Sequence, residues 1–270
     1  MPDNNYIVFN EKQANEYLKM NLGDDFTLAR NLSFGIENRK KTFVILDDSL
    51  SNKTVTIDIE NCEMVEIDAV FLKSVESAKV IVNIGKLSAI HGIFCEVSHL
   101  LVDLTLEINL LSDSATADIN VATIALEKAS KQFHININHL APNTTSNVVL
   151  KGICKDASQI KFFPTSTIAE NTILCEVYQE SRIINLSDES HGIIKPTLLI
   201  NNNEVKAKHS AALGNVKHDE IFYLLSRGLD ENVARYLIVR GLVSSVFSKL
   251  PNIDEKKKFE IVFERGITHA

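Results

Sequence analysis

From Thr42 to Ile200 the chain returns repeatedly to one device, a short run in which apolar and polar residues alternate. Val55, Ile57 and Ile59 make one such run, Val80, Val82 and Ile84 another, and Leu104, Leu106 and Ile108 a third. Phe133, Ile135 and Ile137 repeat it, and further runs follow at 119–124, 148–150, 160–162, 173–177, 183–186 and 198–200. Successive side chains of a strand point to opposite faces, so a period of two predicts strands with one buried face. They recur roughly every 8 to 15 residues, the spacing of an all-β sandwich, barrel or solenoid.

Three observations favour the solenoid. The pattern runs well past the length of a sandwich of about 100 residues, with no linker to mark a second copy. The residues read as turns are mainly Asn, Asp and Ser, among them Asn109, Asn136, Asn138, Asn143 and the run Asn201 to Asn203. Asn tolerates the left-handed conformation and bonds locally, which suits tight corners between stacked strands. Glycine is scarce and the Asn-Gly dipeptides of two-residue hairpins are absent. The fold expected is mainly β, a parallel β-helix, in which each coil buries its inward side chains on its neighbours and the ends need caps.

The pattern changes after Glu204. Asp219 is a candidate N-cap, Gly228 a C′ stop and Asp230 a second N-cap, so two short helices follow in series. The first presents Ile221, Phe222, Leu224 and Leu225, and the second Val233, Leu237, Ile238, Leu242, Val246 and Leu250. That is more apolar surface than two short helices bury between themselves, and a partner protein is the natural cover. The tail after Pro251 can add a last helix. The organisation expected is an N-terminal segment, 1–40, with a short helix over 11–20, then a β-helix core, 41–210, and a C-terminal helical domain, 211–270.

Composition narrows the function. The net charge of −7 and the lack of a basic stripe interleaved with aromatics argue against nucleic acid. No apolar run approaches the roughly 20 residues of a membrane helix, and the first residues lack a secretory pattern. The expected location is cytoplasmic, or an organelle lumen if a targeting segment was removed. No phosphate-binding loop, nucleophile elbow or H-E-x-x-H motif occurs. The pairs Asp24/Asp25 and Asp47/Asp48 sit in turn-like sequence. Cys62, Cys95, Cys154 and Cys175 are scattered, which fits separate buried thiols. His91 and His99 flank Cys95, and His134 and His139 lie five apart and so face opposite ways on a strand; no ligand pair is forced. His209 is set apart by its place, beside Ser210 where the strand pattern ends.

The stretch from Lys208 to Leu242 resembles the C-terminal motif of the SufB/SufD family of iron-sulfur cluster assembly proteins. The residues that carry it are His209-Ser210-Ala211, Gly214, Asp219-Glu220, Phe222-Tyr223-Leu224 and Arg227-Gly228-Leu229. Upstream, His139-Leu140-Ala141-Pro142, Lys151-Gly152-Ile153, Asn185-Leu186 and Lys195-Pro196 match further family landmarks in order. The resemblance implies a right-handed parallel β-helix with a small C-terminal helical domain, and a subunit with no catalysis of its own. It implies docking of the SufC-type ABC ATPase through Phe222, Tyr223, Leu224, Arg227, Gly228, Leu237 and Gly241. It implies pairing through the β-helix with a SufB-type subunit or with a second copy, with His209 at that interface as a metal or cluster ligand. No cofactor is expected to be bound stably; the iron-sulfur cluster is transient. Ser190 and Ser210 stand where SufB has cysteine and an acidic residue, and Ala207 where some SufD members have cysteine, so the chain is the more SufD-like. Two other readings of a β-helix stay open at this point, a self-associating structural protein and a carbohydrate-active enzyme.

Overall fold

The computed structural model describes residues 6–9, 31–46, 50–73, 75–98, 101–170, 172–250 and 253–268. The helix expected over 11–20, His99 and both Asp pairs lie outside the described residues. The strands are β1 (Tyr6–Phe9), β2 (Asn31–Leu46), β3 (Thr54–Phe71), β4 (Val75–Ile84), β5 (Ala89–Glu96), β6 (Val102–Leu110) and β7 (Thr116–Ala125). They continue with β8 (Ser130–His139), β9 (Thr145–Cys154), β10 (Gln159–Ile168), β11 (Glu176–Asn185), β12 (His191–Ile194), β13 (Thr197–Ile200) and β14 (Lys206–Gly214). Three helices follow, α1 (His218–Ser226), α2 (Glu231–Phe247) and α3 (Ile253–Thr268).

Every strand pairing is parallel, and each strand pairs with the strand one coil away. The result is a β-solenoid of about five turns. One wall stacks β4, β6, β8, β10 and β12; the other stacks β5, β7, β9, β11 and β14. The long β3 serves both, pairing with β4 through Thr54–Ile59 and with β5 through Val65–Phe71. Inward side chains of both walls, such as Leu106, Phe133 and Phe162 facing Val121, Leu150 and Ile183, form one core along the lumen. The period-two pattern of the sequence is this inward column repeated coil by coil.

Corners are turned by residues in the left-handed conformation, where Asn143 has φ 57° as its residue type leads one to expect. Leu87, Ser114 and Leu174 hold the same conformation at the equivalent corners. Stacking holds them there: Ser114 N donates to Pro142 O, Asn143 N to Ile173 O and Leu174 N to Glu204 O, each one coil on. Asn109, Asn136 and Asn138 are not turn residues but lie within strands. Asn138 Nδ2 donates to Asn109 Oδ1 at 2.8 Å, Asn109 to Asn83 at 2.8 Å, and Asn83 to Asp58 at 2.7 Å, residues 25–29 apart in sequence. This side-chain ladder repeats the backbone ladder beside it and pins the register of the outer face.

The second wall is buried on both sides. Its outward residues Val70, Ile93, Cys95, Ala122 and Ile124 pack beneath α2 and α3. Phe247, Phe259 and Phe263 fill the joint, with ring centroids 5.2–6.3 Å apart. Lys249 Nζ donates to Asn120 Oδ1 at 2.9 Å, and Lys155 Nζ reaches the Gly266 and Ile267 carbonyls at the end of α3. A cation there also meets the negative end of the helix dipole. So the helices form a layer on one wall of the solenoid, and α3 is the last helix the tail allows. No helix among the described residues is long and apolar enough to cross a membrane.

Candidate functional site

Of the polar features built into the solenoid, a buried histidine and a buried ion pair are structural. At the corner after β8, His139 is fully buried, with Nδ1 2.8 Å from Thr144 Oγ1 and Nε2 2.8 Å from Ser146 Oγ. Thr144 Oγ1 donates to Ala141 O and contacts Cys175 Sγ at 3.3 Å, so Cys175 is packed into the same corner. Both ring nitrogens are used to staple a turn. His134, on the opposite face as its spacing demands, stacks on Phe163 one coil away.

Burial without a countercharge pushes the His139 pKa down from its ordinary value to about 4. The unfolded chain binds a proton below about pH 6.5 while the folded one does not until about pH 4. Stability from this site is therefore complete above about pH 6.5 and lost as pH falls toward about 4, with about 2 kcal/mol gone by pH 5. The gap in unfolding free energy between wild type and His139→Gln, from urea titrations at pH 7.5 and 5, is expected to change by about that amount; a constant gap between them overturns the assignment.

The second feature is an ion pair inside the lumen. Lys131 and Glu96 are both fully buried, with Lys131 Nζ 2.5 Å from Glu96 Oε2 and from the Ile124 carbonyl. Glu96 also accepts from Thr123 Oγ1 at 2.6 Å and from the Ser98 amide at 2.5 Å. Nothing in the spacing of Glu96 and Lys131, 35 residues apart, announces it.

The third feature is the end of the solenoid. β14 pairs with β11 on one edge, and its other edge closes the sheet order. His209 lies in the middle of β14, not at the end of the last strand, because the strand continues through Ser210, Ala211 and Ala212 to Gly214. In register, Ala207, His209, Ala211 and Leu213 extend the inward column Val177, Gln179, Ser181 and Ile183. The lower set is buried, whereas His209, Ala211 and Leu213 are exposed. The facing wall stops at β12 and β13, interrupted at Lys195-Pro196, where proline has no N–H for the ladder. Nothing among the described residues covers the last coil, which has an imidazole at its centre. Among the described residues no three His, Cys, Asp or Glu side chains converge to hold a metal. Ser190 is a buried corner residue whose hydroxyl donates to Ser187 O at 2.6 Å.

β14 leads within a few residues into α1. Lys217, not Asp219, occupies the N-cap position, and it makes no side-chain cap bond. The helix begins at His218, so Asp219 and Glu220 fall in its first turn, where they meet the helix dipole rather than cap it. At the other end Gly228, at φ +85°, closes the helix: its amide bonds Leu225 O and that of Leu229 bonds Leu224 O. Asp230 caps α2 by accepting from the Asn232 amide at 2.8 Å. Of α1 only Ile221 is buried; Phe222 is 72% and Tyr223 57% exposed, and the Arg227 guanidinium lies 5.4 Å from the Tyr223 ring centroid. Leu224 is half-buried, and Leu225, Val233 and Leu237 add exposed apolar surface. Gly241 borders a groove of about 400 Å³ between α2 and the wall, with Arg182, Glu220 and Leu242. A Cβ on Gly241 meets nothing within 4 Å, so the glycine leaves its helix backbone open to approach. Leu225 and Val233 belong to this surface but are absent from the sequence motif; their helical spacing was the available signal.

The chain is thus a parallel β-solenoid with an exposed final coil, joined to a helical layer with aromatic and arginine side chains turned outward. Residues 37–242 match the profile described as SUF system FeS cluster assembly, SufBD core domain, and the chain belongs to that family. It is similar to the iron-sulfur cluster assembly protein SufD of Bacillus subtilis, 28% identical over 159 residues, which are 59% of this chain and 36% of that one. A SufBD family protein of Synechocystis is 30% identical over 117 residues, 43% of this chain and 25% of its own. One of Mycobacterium tuberculosis is 25% identical over 142 residues, 53% of this chain and 17% of its own. The matched region thus spans about a third or less of these relatives.

Proposed function

We propose that this SufBD family protein is a SufD-like, non-catalytic scaffold subunit of an iron-sulfur cluster assembly complex. It docks a SufC-type ABC ATPase through α1 and α2. It pairs through the open end of the β-solenoid with a SufB-type subunit or a second copy. The iron-sulfur cluster is cargo, held transiently where the two solenoid ends meet. His209 contributes one ligand there and the partner contributes the others; imidazole and thiolate both suit such a cluster.

The observation that carries the reading is the exposure of Phe222 and Tyr223 on a helix with a single buried residue. Aromatic side chains flanked by arginine are the anchors of protein interfaces. The motif of α1 is also a part of the sequence that most resembles the family. Coupling follows from connectivity: α1 is joined to β14 by a short link, and Val216 within that link is buried in the helix-wall core. A pull on α1 is delivered to the strand that carries His209.

Co-expression with the ATPase tests the docking. Phe222→Asp is expected to abolish co-purification, a loss of at least about 2 kcal/mol of binding, or roughly 30-fold. Its melting temperature should stay at the wild-type value, since the side chain is already in solvent. Recovery of the ATPase with the Phe222→Asp chain at wild-type yield sinks the docking claim.

A further inference from the structure

A neutral imidazole binds metal through the ring nitrogen that carries no hydrogen, and the hydrogen bond made by the other nitrogen decides which one that is. The strand pairing places Gln179 directly beside His209, on the same face of the adjacent strand, at a strand spacing of about 4.8 Å. Gln179 is 4% exposed. Its Nε2 donates to Ser166 Oγ at 2.8 Å and to the Thr197 carbonyl at 3.5 Å. A carbonyl only accepts, so Thr197 fixes the amide nitrogen on that side. The other amide atom, Oε1, is a buried acceptor without a hydrogen-bond donor among the described residues. Ser181, next along the same face, has a buried hydroxyl in the same condition.

We propose that Gln179 is the positioning residue for His209. The bond between them is not made in the structure as it stands; a turn of the exposed His209 side chain brings one ring N–H to Oε1, which fixes the tautomer and presents the lone pair of the second nitrogen at the open end of the solenoid. The glutamine is held in turn by Ser166 and Thr197 on the facing wall, so the imidazole is oriented by both walls of the last complete coil. This inference rests on reading His209 as a ligand for an iron-bearing cargo, and its test separates the two.

Ring-¹⁵N NMR of the histidine-labelled full chain at about pH 8, where imidazole is neutral, reads the tautomer without any metal. His209 is expected in a single tautomer in the wild type, in a free-imidazole mixture in Gln179→Met, and again in one tautomer in Gln179→Glu, which keeps the acceptor. A wild-type His209 already in the free mixture overturns the proposal, and so does a Gln179→Met spectrum equal to the wild type. If Gln179→Met does not fold, the wild-type and Gln179→Glu spectra decide. In a second arm, iron and sulfide are measured in the anaerobically purified complex. His209→Ala is expected to lose them, and Gln179→Met to weaken iron retention about 10–100-fold. Iron kept by His209→Ala, together with a tautomer that depends on Gln179, refutes the ligand reading and leaves the positioning role standing.

Discussion

Lys131→Met is expected to destabilise the chain by roughly 3–5 kcal/mol, because it leaves the Glu96 carboxylate uncompensated in the lumen. Methionine nearly matches the length of lysine, so the loss reports charge and hydrogen bonding rather than a cavity. Adding Glu96→Gln should recover most of it. The neutral amide keeps both contacts with one reversed: its oxygen accepts from the Ser98 amide, which lies 2.5 Å from Glu96 Oε1, and its NH2, in the place of Oε2, donates to the Thr123 hydroxyl oxygen 2.6 Å away. Urea unfolding of the wild type, both single variants and the double variant measures the coupling. If Lys131→Met alone costs less than about 1 kcal/mol, or the double variant is no better than the single, the pair is not the coupled unit its geometry describes. The pair also bears on register. A buried charge tolerates only the coil arrangement that brings its partner alongside, whereas the Ile and Val columns around it tolerate a slip between coils.

Why that pair was hidden from the sequence, and the solenoid was not, follows from distance along the chain. The alternation of Leu104, Leu106 and Ile108 is local, and it repeats coil after coil, so a dozen weak signals point one way. Glu96 and Lys131 each end or begin a strand, where a charge reads as solvated, and only stacking brings them together. The asparagines show the same limit. Asn143 turned a corner as its residue type foretold, but Asn109 and Asn138 are ladder residues, because the benefit of an in-register amide exists only once the neighbouring coil is in place. β14 was hardest to read as a full strand. KAKHSAALG lacks a buried face, since the last coil has no coil above it, and alternation is the imprint of a buried face. The helical layer did leave a trace: the later halves of β5, β7 and β9 turn from alternating to continuously buried, the pattern of a wall covered on both sides. At the site, the motif picked out His209 and the outward face of α1, while Gln179 became visible only through its register with His209.

Phe247→Ala is expected to cost about 3–5 kcal/mol, and its consequence should be local before it is global. Phe247 is 2% exposed and joins α2 to α3 through Phe259 and Phe263, above the outer face of the second wall. Removing it weakens the attachment of the helical layer while the lumen core, to which it does not belong, keeps its packing. Cys95 reports the difference. It is fully buried beneath the helices, and burial together with the nearby Asp68 raises its pKa well above the ordinary thiol value. Cys62 and Cys154 lie in the lumen core instead. In Phe247→Ala, a thiol reagent should modify Cys95 ahead of Cys62 and Cys154, at a urea concentration where β-sheet circular dichroism is still intact. Labelling of all the cysteines in one step, at the global midpoint, shows instead that layer and solenoid unfold as one unit. Phe222→Asp is the matched control, since its side chain already stands in solvent and should leave Cys95 protected, its expected effect falling on the proposed docking alone. The two phenylalanines, 25 residues apart on neighbouring helices, therefore separate the force that holds the helical layer to the solenoid from the exposed surface proposed for docking.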